Sequence, residues 1–121
     1  MNIKRNISII GGAGHVGLPL GMVFSSKGFK VTLIDKNKSN IKKINKGQMP
    51  FLEKNGQKLL KHIVKKKKIF ATDKLNEITK SKYIIICIGT PITKNLNPNT
   101  KNFINFFYQL KKLLKKDQIV I

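Results

Sequence analysis

A short apolar run that ends abruptly in glycine leaves this chain few ways to fold. Ile7-Ser8-Ile9-Ile10 stops at Gly11-Gly12-Ala13-Gly14-His15-Val16-Gly17. Four such residues without polar alternation read as a buried strand. A helical stretch follows from about His15 to Lys27, with Val16, Leu20, Val23 and Phe24 at the i, i+4, i+7 and i+8 spacing of one helix face. Pro19 falls in its first turns, where a missing N–H costs little, and Gly28 ends it.

The same alternation continues along the chain. Lys30 to Asp35 reads as a second strand. Ser39 to Lys46, with Ile41 and Ile44 on one side, reads as a short helix that stops at Gly47. After a loop through Pro50, Asn55 to about Lys66 is helical, with Leu59, Leu60, Ile63 and Val64 apolar. Ile69-Phe70-Ala71 is a weak third strand, and Asp73 is placed to cap a short helix holding Leu75 and Ile78. Tyr83 to Ile88 is a fourth strand whose unbroken apolar run predicts burial on both faces. The last helix spans about Lys101 to Lys116, with Phe103, Phe106, Phe107, Leu110, Leu113 and Leu114 as its stripe. Gln118 to Ile121 begins a fifth strand. Strands alternating with helices predict an α/β domain over residues 1–121, a Rossmann-type doubly wound parallel sheet in the order 3-2-1-4-5, truncated in its fifth strand.

Within that frame the glycines carry chemistry. Gly12-Ala13-Gly14-His15-Val16-Gly17 is a G-x-G-x-x-G between a strand and a helix, the context a dinucleotide requires. Gly12 is expected to make the tight turn, Gly14 to let a pyrophosphate approach the backbone, and Gly17 to let helix and strand pack closely. The phosphates would sit on the unpaired N–H groups of the helix N-terminus. The alternative is a glycine-rich turn without a ligand. Asp35, at the end of the second strand, can accept from adenosine ribose hydroxyls and would repel a 2′-phosphate. NAD is thus favoured over NADP, a preference softened by Lys36 and Lys38; Asp35 could instead simply begin an Asx turn. Thr90, in Gly89-Thr90-Pro91, could bond a ribose or phosphate at the switch-point crevice or belong to a stiff turn. His15 is expected to offer its backbone N–H to a pyrophosphate rather than act as a base. Cys87 reads as an inert core thiol and His62 as a surface residue. No catalytic triad, Walker A sequence or metal-ligand spacing is present, so neither a catalytic nor a metal-binding residue is assigned.

Charge and cysteine content narrow the class further. There are 25 Lys and Arg against five acids, a net charge of +20, and Arg5 is the lone arginine. Base readers favour arginine for bidentate contacts, and these lysines are spread along the chain rather than gathered in a stripe. A specific nucleic-acid partner is therefore not expected, although a basic nucleic-acid-binding protein is one rival reading. One cysteine rules out an internal disulfide, and no apolar run is long enough for a membrane helix or a signal-peptide core, so a cytoplasmic protein is expected.

Gly12-x-Gly14-His15-Val16-Gly17-Leu18-Pro19-Leu20, Asp35, Gly47-Gln48-Met49-Pro50-Phe51-Leu52-Glu53 and Cys87-Ile88-Gly89-Thr90-Pro91 occur in this order and at this spacing. Together they resemble the N-terminal domain of the UDP-glucose/GDP-mannose dehydrogenase family. The stretch Ile92 to Thr100, with Leu96-Asn97-Pro98, looks most like the UDP-N-acetylmannosamine/UDP-N-acetylglucosamine 6-dehydrogenase branch. The resemblance implies oxidation of a sugar C6 alcohol to a carboxylate with two NAD, in the service of polysaccharide biosynthesis. It implies cofactor contacts at His15, Val16, Asp35 and Thr90, and places Pro50 to Glu53 near the crevice. Asn40 departs from the basic residue the family often has beside the adenosine. Family members run to several hundred residues, with the catalytic cysteine and sugar-binding domain far beyond position 121. The chain is therefore expected to be the cofactor half of an enzyme, inactive alone, whose full-length form takes a UDP-sugar and forms a homodimer. An NAD-sensing module without catalysis is the other rival.

Overall fold

The computed structural model describes residues 5–88 and 100–121. Its elements are β1 (Asn6–Ile10), α1 (Gly17–Ser26), β2 (Lys30–Ile34), α2 (Lys38–Asn45), α3 (Gly56–Lys65), β3 (Ile69–Thr72), a 3-10 helix (Leu75–Lys80), β4 (Tyr83–Ile86), α4 (Thr100–Leu113) and β5 (Ile119–Val120). The five strands form one parallel sheet in the order β3-β2-β1-β4-β5, the doubly wound arrangement that the alternation predicts.

Successive residues of a strand point to opposite faces, and β1 feeds both halves of the core in this way. Ile7 and Ile9 pack with Val31 and Leu33 under Leu18, Leu60 and Ile63 of α1 and α3. Ile10 packs with Ile34 and Ile84 against Ile78 of the 3-10 helix and Leu110 of α4. Each fully buried Ile or Leu contributes about 1.5–3 kcal/mol. Ser8 points to the second face and is satisfied by the Ser81 hydroxyl at 2.7 Å.

Four details differ from the pattern read along the chain. The buried face of α1 is Gly17, Leu18, Gly21, Met22 and Ser25; of the face read from the sequence, Leu20 and Phe24 pack half-buried against the core, whereas Val16 and Val23 are 68% and 54% exposed. Glycines count for little in an apolar pattern, yet here they set the contact: a Cβ at Gly21 would lie 2.8 Å from Leu33 Cδ2. The helix presses its smallest side chains against the sheet. On α4 only Leu110 of the expected stripe is fully buried, and Phe103 and Phe107 remain partly open to solvent. Asp73 caps nothing. Lys74 occupies the N-cap position of a 3-10 helix, and the Thr72 hydroxyl accepts from the Lys74 N–H at 3.2 Å. Finally, β4 ends at Ile86, so Cys87 lies one residue past the strand end, half-buried and packed against the edge of the core.

Candidate functional site

The carboxyl ends of β1, β2 and β4 open into a crevice of about 790 Å³, within the range of small-molecule sites. Gly11 and Gly14 of the turn, Asp35, Cys87, and Phe103 and Phe106 of α4 are among the residues lining it.

Each glycine of the turn has its own geometric reason. The left-handed backbone falls at Gly11, with φ of +82°, and not at Gly12; a side chain at Gly11 would collide with the Cys87 carbonyl oxygen. Gly12 instead backs onto β2, where a Cβ would sit 2.7 Å from Leu33 Cβ. Gly17, the first residue of α1, lies against the Gly11 carbonyl oxygen, and its added Cβ would be 2.8 Å from Gly12 Cα. Gly14 is different. Among the described residues a Cβ there would meet only the Gly11 oxygen, at 3.7 Å, so they leave the space beside it open. The N–H groups of His15, Val16 and Gly17 have no acceptor among the described residues, as expected of the first donors of a helix.

Asp35 follows β2 and reaches back to this turn. Its Oδ2 accepts from the Ala13 N–H at 2.9 Å and its Oδ1 from the Asn37 N–H at 3.0 Å. The Asx-turn alternative is therefore realised, and it coexists with a place in the crevice wall, because a carboxylate has about four acceptor sites and two are used. Asn37 caps α2 by accepting the Asn40 N–H at 3.0 Å. The Asn40 side chain donates from Nδ2 to the Ala13 carbonyl at 3.1 Å.

His15 and Val16 are both exposed, and neither is among the residues lining the crevice. The His15 ring stacks on Phe51 with centroids 4.0 Å apart and planes 19° from parallel. The loop bearing Phe51 is held by Gln57, which donates to the Gly47 carbonyl at 2.6 Å and accepts from the Met49 N–H at 2.8 Å. The Pro50–Glu53 segment thus lies beside the glycine turn. Thr90, with Gly89, Pro91 and the 92–99 stretch, lies outside the described residues. Burial pushes the Cys87 thiol up from its ordinary value, which keeps it protonated and a poor nucleophile near neutral pH. His62 is exposed. No group of three or more His, Cys, Asp and Glu residues able to hold a metal occurs among the described residues, and no described helix is long and apolar enough to cross a membrane.

Sequence reasoning missed Gly11, Gly21 and the link from Asn40 to the turn. The doubled glycine at 11–12 hinted at the first, whereas no local pattern reveals a side chain that bonds across 27 positions.

Residues 5–121 match the model of the UDP-glucose/GDP-mannose dehydrogenase family, NAD binding domain. The chain is 34% identical over 82 residues to UDP-N-acetyl-D-mannosamine dehydrogenase of Pyrococcus horikoshii, an alignment covering 68% of this chain and 20% of that protein. It is 31% identical over 122 residues to UDP-N-acetyl-D-mannosamine dehydrogenase of Campylobacter jejuni, covering 100% of this chain and 29% of the relative. The solved structure of UDP-D-ManNAc dehydrogenase from P. horikoshii superposes with a TM-score of 0.83 at 27% identity, covering 95% of this chain and 27% of that one. The chain thus spans less than a third of the length of each of these relatives.

Proposed function

This chain belongs to the UDP-glucose/GDP-mannose dehydrogenase family as its NAD-binding domain, and we propose that it is the cofactor-holding part of a UDP-N-acetylhexosamine 6-dehydrogenase. The observation that carries the reading is the open space beside Gly14, at the N-terminus of α1 and next to the Asp35 carboxylate. A pyrophosphate fits there because no Cβ fills the space and because the His15, Val16 and Gly17 N–H groups are without acceptors among the described residues. Gly12 and Gly17 hold the turn close to β2 and α1, and Asp35 offers its remaining acceptor sites to the ribose hydroxyls. Thr90 would add a hydroxyl from the loop after β4. NAD, when bound, supplies the hydride acceptor for oxidation at the sugar C6.

Taking an alcohol through an aldehyde to a carboxylate also needs a base and a nucleophile. Among the described residues, the His15 ring is stacked on Phe51 and burial keeps the Cys87 thiol protonated. Proton removal and covalent capture of the aldehyde are therefore assigned to the remainder of a whole dehydrogenase. The UDP-sugar, a homodimeric assembly and a cytoplasmic setting belong to that whole protein in this reading. The relatives named for UDP-N-acetyl-D-mannosamine support this substrate class.

The test is an assay of the purified chain with NAD and UDP-N-acetylmannosamine, UDP-N-acetylglucosamine or UDP-glucose. Bound NAD and no NADH above background are expected. NADH production that disappears in Cys87→Ser would overturn the division of labour by showing that this chain carries its own nucleophile.

A further inference from the structure

A closed ring of hydrogen bonds ties the glycine turn to the start of α2. The Ala13 N–H donates to Asp35 Oδ2 at 2.9 Å, and the Asn37 N–H donates to Asp35 Oδ1 at 3.0 Å. The Asn40 N–H donates to Asn37 Oδ1 at 3.0 Å, and Asn40 Nδ2 closes the ring on the Ala13 carbonyl at 3.1 Å. Ala13 is buried, at 1% exposure, so both polar atoms of its backbone are held by side chains from beyond β2. A residue in the third position of a helix often reaches back to the N-cap N–H. Here Asp35 takes that N–H, and the Asn40 side chain is directed to the turn instead.

We propose that Asn40 is a positioning residue for the pyrophosphate site, fixing the peptide between Ala13 and Gly14 so that its carbonyl faces α2 and not the incoming anion. This rests on the reading that the turn receives NAD. The physical need comes from Gly14. A peptide plane next to glycine rotates readily, because glycine accepts backbone angles on both sides of zero φ. Rotated, that plane would aim the Ala13 oxygen, an acceptor, toward the space where phosphate oxygens are to sit. Acceptor against anion is repulsive, and the turn would spend part of its time unable to bind. A single donor on the carbonyl prevents this. Asn supplies that donor without charge; an ionised Asp at the same place has no donor and would itself repel the carbonyl.

Removing the Asn40 side chain leaves α2 intact, because the cap uses the Asn40 backbone N–H. The experiment measures NAD, ADP-ribose and adenosine affinities by NMR titration for the wild-type chain, Asn40→Ala and Asn40→Asp. The expected result is a ~5–10-fold loss for NAD and ADP-ribose, the equivalent of about one net hydrogen bond, with adenosine affinity within about twofold of wild type. The loss in Asn40→Asp should equal or exceed that in Asn40→Ala. Should Asn40→Ala not fold, the same ligand comparison in Asn40→Asp decides the matter. Equal weakening of all three ligands would overturn the proposal, since a merely structural role moves adenosine too. Unchanged NAD affinity in the variants would overturn it while leaving the cofactor reading standing. A wild-type chain that binds neither NAD nor ADP-ribose would overturn both.

Discussion

At the scale of single residues, two aspects of the crevice are set by chemistry that a substitution can isolate. In the proposed reading the Asp35 carboxylate lies where a 2′-phosphate would approach, and two backbone N–H groups fix its orientation. Asp35→Ala is expected to narrow the preference for NAD over NADP by ~10-fold or more, the equivalent of about 1.4 kcal/mol, in paired titrations. An unchanged ratio would remove Asp35 as the ribose ligand. Gly17 is a matter of packing. Gly17→Ala forces a methyl group against the Gly11 carbonyl and is expected to cost about 1–3 kcal/mol in urea unfolding. The same glycines show how much of the site could be read in advance. The motif, its place between strand and helix, and the acid at position 35 follow from sequence spacing. The need for glycine at position 11 does not, because the space for a side chain there is taken by the carbonyl of Cys87, more than 70 residues away in the chain.

At the scale of elements, periodicity located every helix and strand of the described residues to within a few positions and found the covered faces of α2 and α3, but only part of those of α1 and α4. On α1 the apolar spacing picked out Val16, Leu20, Val23 and Phe24, of which only Leu20 and Phe24 pack against the core, whereas the sheet receives Gly17 and Gly21, whose value lies in the absence of bulk. On α4 the expected stripe is covered in part: Leu110 is fully buried, Phe106, Leu113 and Leu114 pack half-buried against the same cluster, and Phe103 and Phe106 wall the crevice. The outer edge of β3 supplies a further prediction. Unpaired strand edges leave backbone groups in search of partners. Here the Asn45 side chain of α2 acts as a substitute strand, donating to the Ala71 carbonyl and accepting from the Ala71 N–H, each at 2.8 Å. Ala71 is only 4% exposed, so both groups would be left without protein partners in Asn45→Leu. That change is expected to lower stability by about 2 kcal/mol or more, read as a fall in the urea midpoint. A shift equivalent to less than about 0.5 kcal/mol would show that water replaces the amide freely.

At the scale of the whole molecule, a parallel sheet, a crevice at its carboxyl edge and a glycine turn at its centre form one cofactor module. The overall strand order was legible because strands alternating with helices require a parallel sheet, and the dinucleotide-binding form of that sheet has the order 3-2-1-4-5. The net charge of +20 adds a field favourable to an anionic cofactor without choosing which one. In the proposed reading the choice rests on Gly14 and Asp35. The most direct test is calorimetric titration of NAD into the purified chain and into Gly14→Ala, a substitution the turn has room for, since among the described residues the new Cβ would meet only the Gly11 oxygen at 3.7 Å. The account predicts saturable NAD binding to the wild-type chain, weakened ~10-fold or more in a variant whose thermal midpoint stays within a few degrees. NAD binding of equal strength in both proteins would contradict it, because the space beside Gly14 would then not be where the pyrophosphate lies.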